Sequence, residues 1–263
     1  MTGRALVMGV LNVTPDSFSD GGRFLDVRAA VARGREMFGE GADIVDVGGE
    51  STRPRATEVS ATEELGRVVP VVEALAQDGR VSVDTTKAVV ARAAVAAGAG
   101  IVNDVSASLG AVAGELGVGF VAMHRQGTPA TMQADPHYDD VVAEVERFLA
   151  SKGAEAVAAG ASEVWIDPGI GFGKTVTHNL ALLAATRRLS DLGHSLTVGV
   201  SRKSFLGALT RAASGDLPTP QNRREASLAA GLWAVEHGAS MLRVHDVTAT
   251  VQALRILSER VAF

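Results

Sequence analysis

Short apolar runs rich in valine and isoleucine recur along the chain. They fall at 5–11, 43–48, 80–84, 100–105, 119–124, 163–168, 196–200 and 240–245. Between them lie alanine-rich stretches in which apolar residues return at spacings of three and four. Val27, Ala30, Val31, Gly34 and Phe38 share one such face, and Leu65, Val68, Val69, Val72 and Leu75 share another, which leaves Glu63 toward solvent. The first pattern predicts buried strands and the second amphipathic helices. Several helical stretches end in glycine and run straight into a strand: GADIVDV from 41, GAGIVNDV from 98, GASEVWID from 160 and GASMLRV from 238. A glycine just past a helix is the usual stop signal. Continuous apolar strands alternating with helices mean a parallel sheet covered on both faces. Eight strand–helix units are enough to close one, so the expected fold is α/β, a (β/α)8 TIM barrel, with residues 1–263 as a single domain.

The 263-residue length suits one barrel of roughly 250 residues and is short for two full domains. The opening Arg4 and ALVMGVLNV resemble a short signal peptide, but Asn12 and TPDS break the run and no small-residue cleavage pattern follows, so a buried first strand is expected. No apolar run reaches ~18 residues, the length a membrane-spanning helix needs, and a soluble cytoplasmic protein is the default expectation. The chain has no cysteine, which excludes disulfides, thiolate metal sites and a cysteine nucleophile. A net charge of -5 disfavours general binding to nucleic acid or to an anionic membrane. An anionic small substrate would then need a local cationic cluster.

The polar residues supply one. Strand one ends at Asn12, strand two at Glu50, Ser51, Thr52 and Arg53, strand three at Asp84, and strand four at Asn103 and Asp104. Strand five ends at His124, strand six at Asp167, strand seven at Ser201, Arg202 and Lys203, and strand eight at Arg243, His245 and Asp246. Any one of these could be a helix cap or a turn former. Eight polar tips together are better explained by the barrel face on which active sites lie.

Familiar motifs do not account for them. DPGIGFGKT at 167–175 approaches a phosphate-binding P-loop, but Pro168 stands where its first glycine belongs. The dinucleotide fingerprint fails at Lys174, and neither HExxH nor G-x-S-x-G occurs. The residue types are more informative. Arg53, Lys203, Arg243 and His245 form a cationic rim suited to phosphate or diphosphate. Asn12, with an anionic oxygen, suits Mg2+, which takes few protein ligands beside phosphates and waters. Asp84, Asn103 and Asp167 suit a flat heterocycle with an N–H-rich, guanidine-like edge. Ion pairing of the two acids with Lys203 or Arg243 is the plain structural alternative, and it is compatible with that role.

These segments resemble a known family. MGVLNVTPDSFSDGG at 8–22 and GADIVDVGGESTRP at 41–54 are similar to the two signature segments of dihydropteroate synthases. VSVDT at 81–85, IVND at 101–104, DPGIGFGK at 167–174, GVSRKSFLG at 199–207 and RVHD at 243–246 follow in the family's order. The resemblance implies a barrel enzyme of folate biosynthesis that joins 6-hydroxymethyl-7,8-dihydropterin diphosphate to 4-aminobenzoate, releasing diphosphate. It implies that Asp84, Asn103, Asp167 and Lys203 line the pterin pocket, with Met123 and Phe172 flanking it. Asn12 would hold Mg2+ against the diphosphate, and Arg243 and His245 would grip its oxygens. Phe18, Asp20, Thr52, Arg53 and Pro54 would come from the loops after strands one and two, and Ser204 would sit near the benzoate carboxylate. A homodimer through helices late in the chain is also implied. Arg55 departs from the glycine more common in the family after STRP and is expected to point into water. A pterin-binding methyltransferase, sharing the barrel and the Asp/Asn pocket, would have no use for SFSDGG or SRKS. An inactive pterin-binding paralogue would be expected to lack one of Asn12, Lys203, Arg243 or His245.

Overall fold

The structure, a computed structural model, describes residues 4–14, 22–51, 58–128, 130–211 and 215–259. Eight parallel strands close into a barrel in chain order, with β1 paired to both β2 and β8. They are β1 (Leu6–Asn12), β2 (Ile44–Gly48), β3 (Arg80–Asp84), β4 (Ile101–Asp104), β5 (Gly119–Met123), β6 (Val164–Asp167), β7 (Ser195–Val198) and β8 (Met241–Val244). The helices that surround them are α1 (Gly22–Gly39), α2 (Ala61–Leu75), α3 (Ala88–Ala96), α4 (Gly110–Leu116), α5 (Val141–Ala158), α6 (Val176–Ala184), α7 (Thr186–Ser190), α8 (Ser204–Leu209), α9 (Arg224–Glu236) and α10 (Val247–Glu259). The run read as a signal-peptide candidate is β1, with Val7, Met8, Val10 and Leu11 buried. The four helix-stop glycines, Gly41, Gly98, Gly160 and Gly238, all have positive φ.

Two apolar layers result. A large core between sheet and helices runs around the barrel and includes Val45, Val47, Val83, Val102, Ala122, Ile166 and Val198 from the strands. A second, separate cluster of Met8, Ile44, Ile101, Val121, Trp165 and Met241 plugs the barrel interior near the strand starts. Successive side chains on a strand point to opposite faces. The positions two residues beyond that plug are therefore also interior, and they include Asp46, Asn103, Asp167 and Arg243. The interior turns from apolar to polar within one step along the strands, and this places a charged recess at their C-terminal ends. α2 is rotated slightly from the predicted face: Val71 is buried with Val68, Val72 and Leu75, while Leu65 and Val69 are only partly covered. The rotation also buries Glu64 completely, whereas Glu63 faces solvent as expected.

Candidate active site

Register brings the polar tips to one level. Asn12 pairs with Gly48, Gly48 with Asp84, and Asp84 with Asn103. On the opposite side Met123 pairs with Asp167. Asp84, Asn103, Met123 and Asp167 are buried, Asn12, Phe172, Lys203, Arg243 and His245 are partly buried, and Ser204 is exposed at the start of α8. Phe18, Asp20, Thr52, Arg53 and Pro54, together with Arg55, lie outside the described residues.

The floor of the recess is an ion-paired network. Arg243 donates through Nε to Asp46 Oδ2 and through Nη2 to Asp84 Oδ2, each at 2.7 Å. Asn103 Nδ2 donates to the same Asp46 oxygen at 2.9 Å. Among the described residues, Asp46 Oδ1 is buried without a hydrogen-bond partner, and so are Ser82 Oγ and Thr197 Oγ1 in the barrel interior. Burial pushes the Asp84 carboxyl up to about 7; Arg243 opposes this, and Asp46, Asp104 and Glu64 add to it. For Arg243 burial works against the charged form but is outweighed by Asp46 and Asp84, which raise its pKa. The guanidinium, read from sequence as a diphosphate contact, is thus anchored at the floor between two carboxylates.

The segment after β6 forms the adjoining wall. Asp167 Oδ1 accepts from Gly169 N at 2.7 Å. Burial raises the Asp167 pKa, with Lys203 and the Gly169 N–H opposing it. Lys203 donates to the Ile170 carbonyl, and its Nζ lies 4.6 Å from the centre of the Phe172 ring. Burial lowers Lys203 to about 8; Asp167 counters the shift and Arg243 reinforces it. Gly171 N donates to Asn179 Oδ1 at 2.7 Å, Gln133 Nε2 to Gly171 O at 2.7 Å, and Tyr138 OH to Gly173 O at 2.9 Å. Gly169 has φ +64, and a Cβ there would lie 1.8 Å from the His124 carbonyl oxygen, so no other residue fits. On the β8 side, His245 Nδ1 lies 3.0 Å from Ser201 Oγ, which also accepts from His245 N at 3.1 Å.

Not every polar tip faces the recess. Asp104 accepts from the backbone N–H groups of Ser106, Ser108 and Leu109 and fixes the turn into α4. Glu50 accepts from Val59 N and from Lys87, which also pairs with Glu64. Arg202 forms a bidentate pair with Asp246. The pair and a Ser227 Oγ acceptor for its N–H hold Arg202 at φ +59, directly before Lys203. His124 is buried beside Lys174.

The pterin binding enzyme family matches residues 8–245. A dihydropteroate synthase of Escherichia coli (strain K12) is 47% identical over 259 residues, covering 95% of this chain and 90% of that protein. The chain belongs to the dihydropteroate synthases. Dihydropteroate synthase of Xanthomonas albilineans with 4-aminobenzoic acid superposes with a TM-score of 0.90 at 48% identity, over 100% of this chain and 95% of that one. The Xanthomonas albilineans enzyme in complex with 7,8-dihydropteroate gives 0.87 at 46% identity, over 100% and 96%. The sequence reading of barrel and family therefore holds, and as a dihydropteroate synthase the chain is a transferase.

Sequence reasoning missed two members of the site. Asp46 sits inside an apolar run, IVDVG, away from the strand tips; its signal in the sequence is an acid in the middle of a buried strand. In the sequence Lys174 stands out only as the residue at which the dinucleotide fingerprint fails and as the end of the segment DPGIGFGK. It is in fact 3% exposed and ties down the wall segment.

Proposed function

We propose that this recess takes the pterin ring of 6-hydroxymethyl-7,8-dihydropterin diphosphate and that 4-aminobenzoate displaces its diphosphate, giving 7,8-dihydropteroate. The observation that carries the assignment is the buried set Asp84, Asn103 and Asp167 on β3, β4 and β6, faced by Lys203. Two carboxylates, an amide and an ammonium match the alternating donors and acceptors of an aminopyrimidinone edge. Met123 and the flat Phe172 ring supply apolar walls, and Lys203 is seated on the Phe172 ring face.

The bond broken joins the pterin methylene to the diphosphate oxygen. As it lengthens, positive charge spreads from the methylene into the ring, where Asp84 and Asp167 stabilise it electrostatically. The aromatic amine is a weak nucleophile and suits an ionised carbon centre; its nitrogen forms the new C–N bond and then loses a proton. No covalent enzyme intermediate is required, and catalysis is positioning plus electrostatics. His245, oriented by Ser201, serves the departing oxygens. Arg243 contributes through Nη1, which makes no hydrogen bond among the described residues.

Mg2+ fits this donor set. Among the described residues no group of three or more His, Asp or Glu could cage a metal. Asn12 offers one neutral oxygen beside a space that glycine keeps open: a Cβ on Gly48 would lie 3.8 Å from both Asn12 Oδ1 and Asp84 Oδ2. That suits an ion retaining waters and taking phosphate oxygens. Bound there, it would supply Lewis acidity toward the leaving diphosphate.

The benzoate end is assigned by family resemblance to Phe18, Asp20, Thr52, Arg53, Pro54 and Ser204. A homodimer is the expected assembly, supported by the apolar side chains that α9 and α10 leave outside: Trp233 is 48% and Ile256 69% exposed. No helix among the described residues is long and apolar enough to cross a membrane. Incubation with the pterin diphosphate, 4-aminobenzoate and Mg2+ should release diphosphate and dihydropteroate in equal amounts. Absence of both products from folded protein would refute the assignment.

A further inference from the structure

The wall segment 168–174 depends on one buried cation. Lys174 Nζ donates to Gly169 O and Phe172 O at 3.0 Å each, lies 3.0 Å from His124 Nδ1, and reaches His124 O at 3.4 Å. Burial, reinforced by Lys203 and opposed by Asp167, lowers the Lys174 pKa to about 7, but three carbonyl acceptors around Nζ favour the ammonium. An ammonium has only donors, so His124 Nδ1 accepts and the ring is neutral. Burial and the Lys174 charge push His124 down to about 3, which keeps it so. Three N–H groups thus serve four acceptors, and none is left for a substrate. Without the ammonium, the carbonyls of His124, Gly169 and Phe172 would converge with only the Phe172 N–H, which donates to Gly169 O at 3.0 Å, among them. The same two residues bracket Ile170, whose carbonyl seats Lys203, and Gly169 N is the donor to Asp167.

We propose that Lys174 is a positioning residue, its ammonium filling a cage of three carbonyls and one imidazole nitrogen and so fixing Asp167, Phe172 and Lys203 against the pterin. The inference rests on the synthase reading of those three residues. It does not make Lys174 a catalytic group, since the ammonium touches only the wall segment and the end of β5. Without it, the glycines at 169, 171 and 173, all at positive φ, let the segment relax away from the recess. The loss should fall on the pterin side of the reaction, because the benzoate reaches the site from the other loops.

The test uses the full chain, with the unaltered enzyme in the same assay. Its turnover checks the synthase reading independently, and the ratio of variant to unaltered enzyme checks Lys174. Lys174→Ala opens the cage, whereas Lys174→Met fills the space of the stem and leaves no charge. Both should raise KM for the pterin diphosphate at least about tenfold, the scale of losing a charge-assisted hydrogen bond, and leave KM for 4-aminobenzoate within roughly threefold. Added methylammonium should recover a large part of the loss in Lys174→Ala and none in Lys174→Met, where the side chain blocks the cage. Folding is checked by circular dichroism and melting. An unchanged pterin KM in either folded variant overturns the proposal, as does a folded Lys174→Ala that is defective and indifferent to methylammonium. If Lys174→Ala does not fold, Lys174→Met decides: a selective rise in pterin KM supports the role, and an equal rise for both substrates refutes it.

Discussion

Asp46 on β2 and Arg243 on β8 meet across the floor of the recess, with Asp46 Oδ2 2.7 Å from Arg243 Nε. Asp46 is fully buried, and the same oxygen accepts from Asn103. One carboxylate therefore orients two residues of the recess. Asp46→Asn keeps the volume and removes the charge, leaving Arg243 with Asp84 alone. We expect kcat/KM for the pterin diphosphate to fall about tenfold or more, because the buried hydrogen bonds from Arg243 and Asn103 lose their charged acceptor. Steady-state kinetics beside calorimetry of pterin binding would check this, and unchanged pterin affinity would remove Asp46 from the site.

Asp46 also shows where sequence patterning stops. The continuous apolar runs and the spacings of three and four locate strands and helices because burial imposes them, and the four glycine stops mark helix ends because positive φ is cheap only there. The barrel follows from the count of strands. Side-chain direction inside a closed barrel does not follow, since both faces of each strand are buried and alternation is masked. Asp46 reads as an impurity in an apolar run, yet it points into the recess. Asp104, at a tip, reads as a ligand group, yet it is spent on three backbone N–H groups of the next turn. Lys174 and Lys203 are alike on paper; only the fold shows one closed in by carbonyls and the other seated on an aromatic ring.

Asp167 should be sensitive to loss of charge without loss of fold. Its Oδ1 accepts from Gly169 N, and an asparagine can keep that bond. Asp167→Asn should therefore melt near the unaltered temperature and lose pterin affinity by about tenfold to a hundredfold. Equal affinities by calorimetry would refute its role as pterin anchor.

Asp84 makes a prediction about pH. Its folded pKa, about 7, lies above the ordinary 3.8, chiefly through burial. The folded state then holds a proton that the unfolded state releases, so this residue's contribution to stability is complete below 3.8 and is lost as pH rises toward 7. Melting temperatures of the unaltered chain and of Asp84→Asn, compared between those limits, should show the unaltered chain losing ground steadily as pH rises. A difference that stays constant with pH would mean that Asp84 is ionised throughout.

Lys87 should matter to stability more than to chemistry. Its Nζ donates to Glu64 Oε2 at 2.7 Å and to Glu50, joining the end of β3 to α2 and to the segment after β2. Glu64 is fully buried. Lys87→Met leaves that carboxylate without its cation, a change that costs about 3–5 kcal/mol when a buried pair is broken from one side. Urea unfolding should show a lower midpoint at unchanged slope. Adding Glu64→Gln should recover part of the loss, because the stranded charge is then gone; no recovery would assign the cost to packing instead.

Asn12 carries the prediction about metal. Its side chain ends β1 beside the space above Gly48, and β1 is hydrogen-bonded to β8, the strand that leads to His245. A single neutral oxygen cannot hold Mg2+ by itself, so the ion's affinity should depend on the diphosphate that supplies its remaining charged ligands. Three outcomes follow. EDTA should abolish turnover, and Mg2+ should restore it. Mg2+ alone should leave the melting temperature of the chain unchanged, diphosphate alone should raise it slightly, and the two together should raise it clearly. In Asn12→Ala the joint effect should need about tenfold more Mg2+ or beyond, the scale on which losing a group that supports a bound metal is felt. The melting arm separates metal binding from catalysis, since it needs no turnover. Full activity in EDTA, or an Asn12→Ala chain that responds to Mg2+ and diphosphate as the unaltered chain does, would take Asn12 out of the metal site.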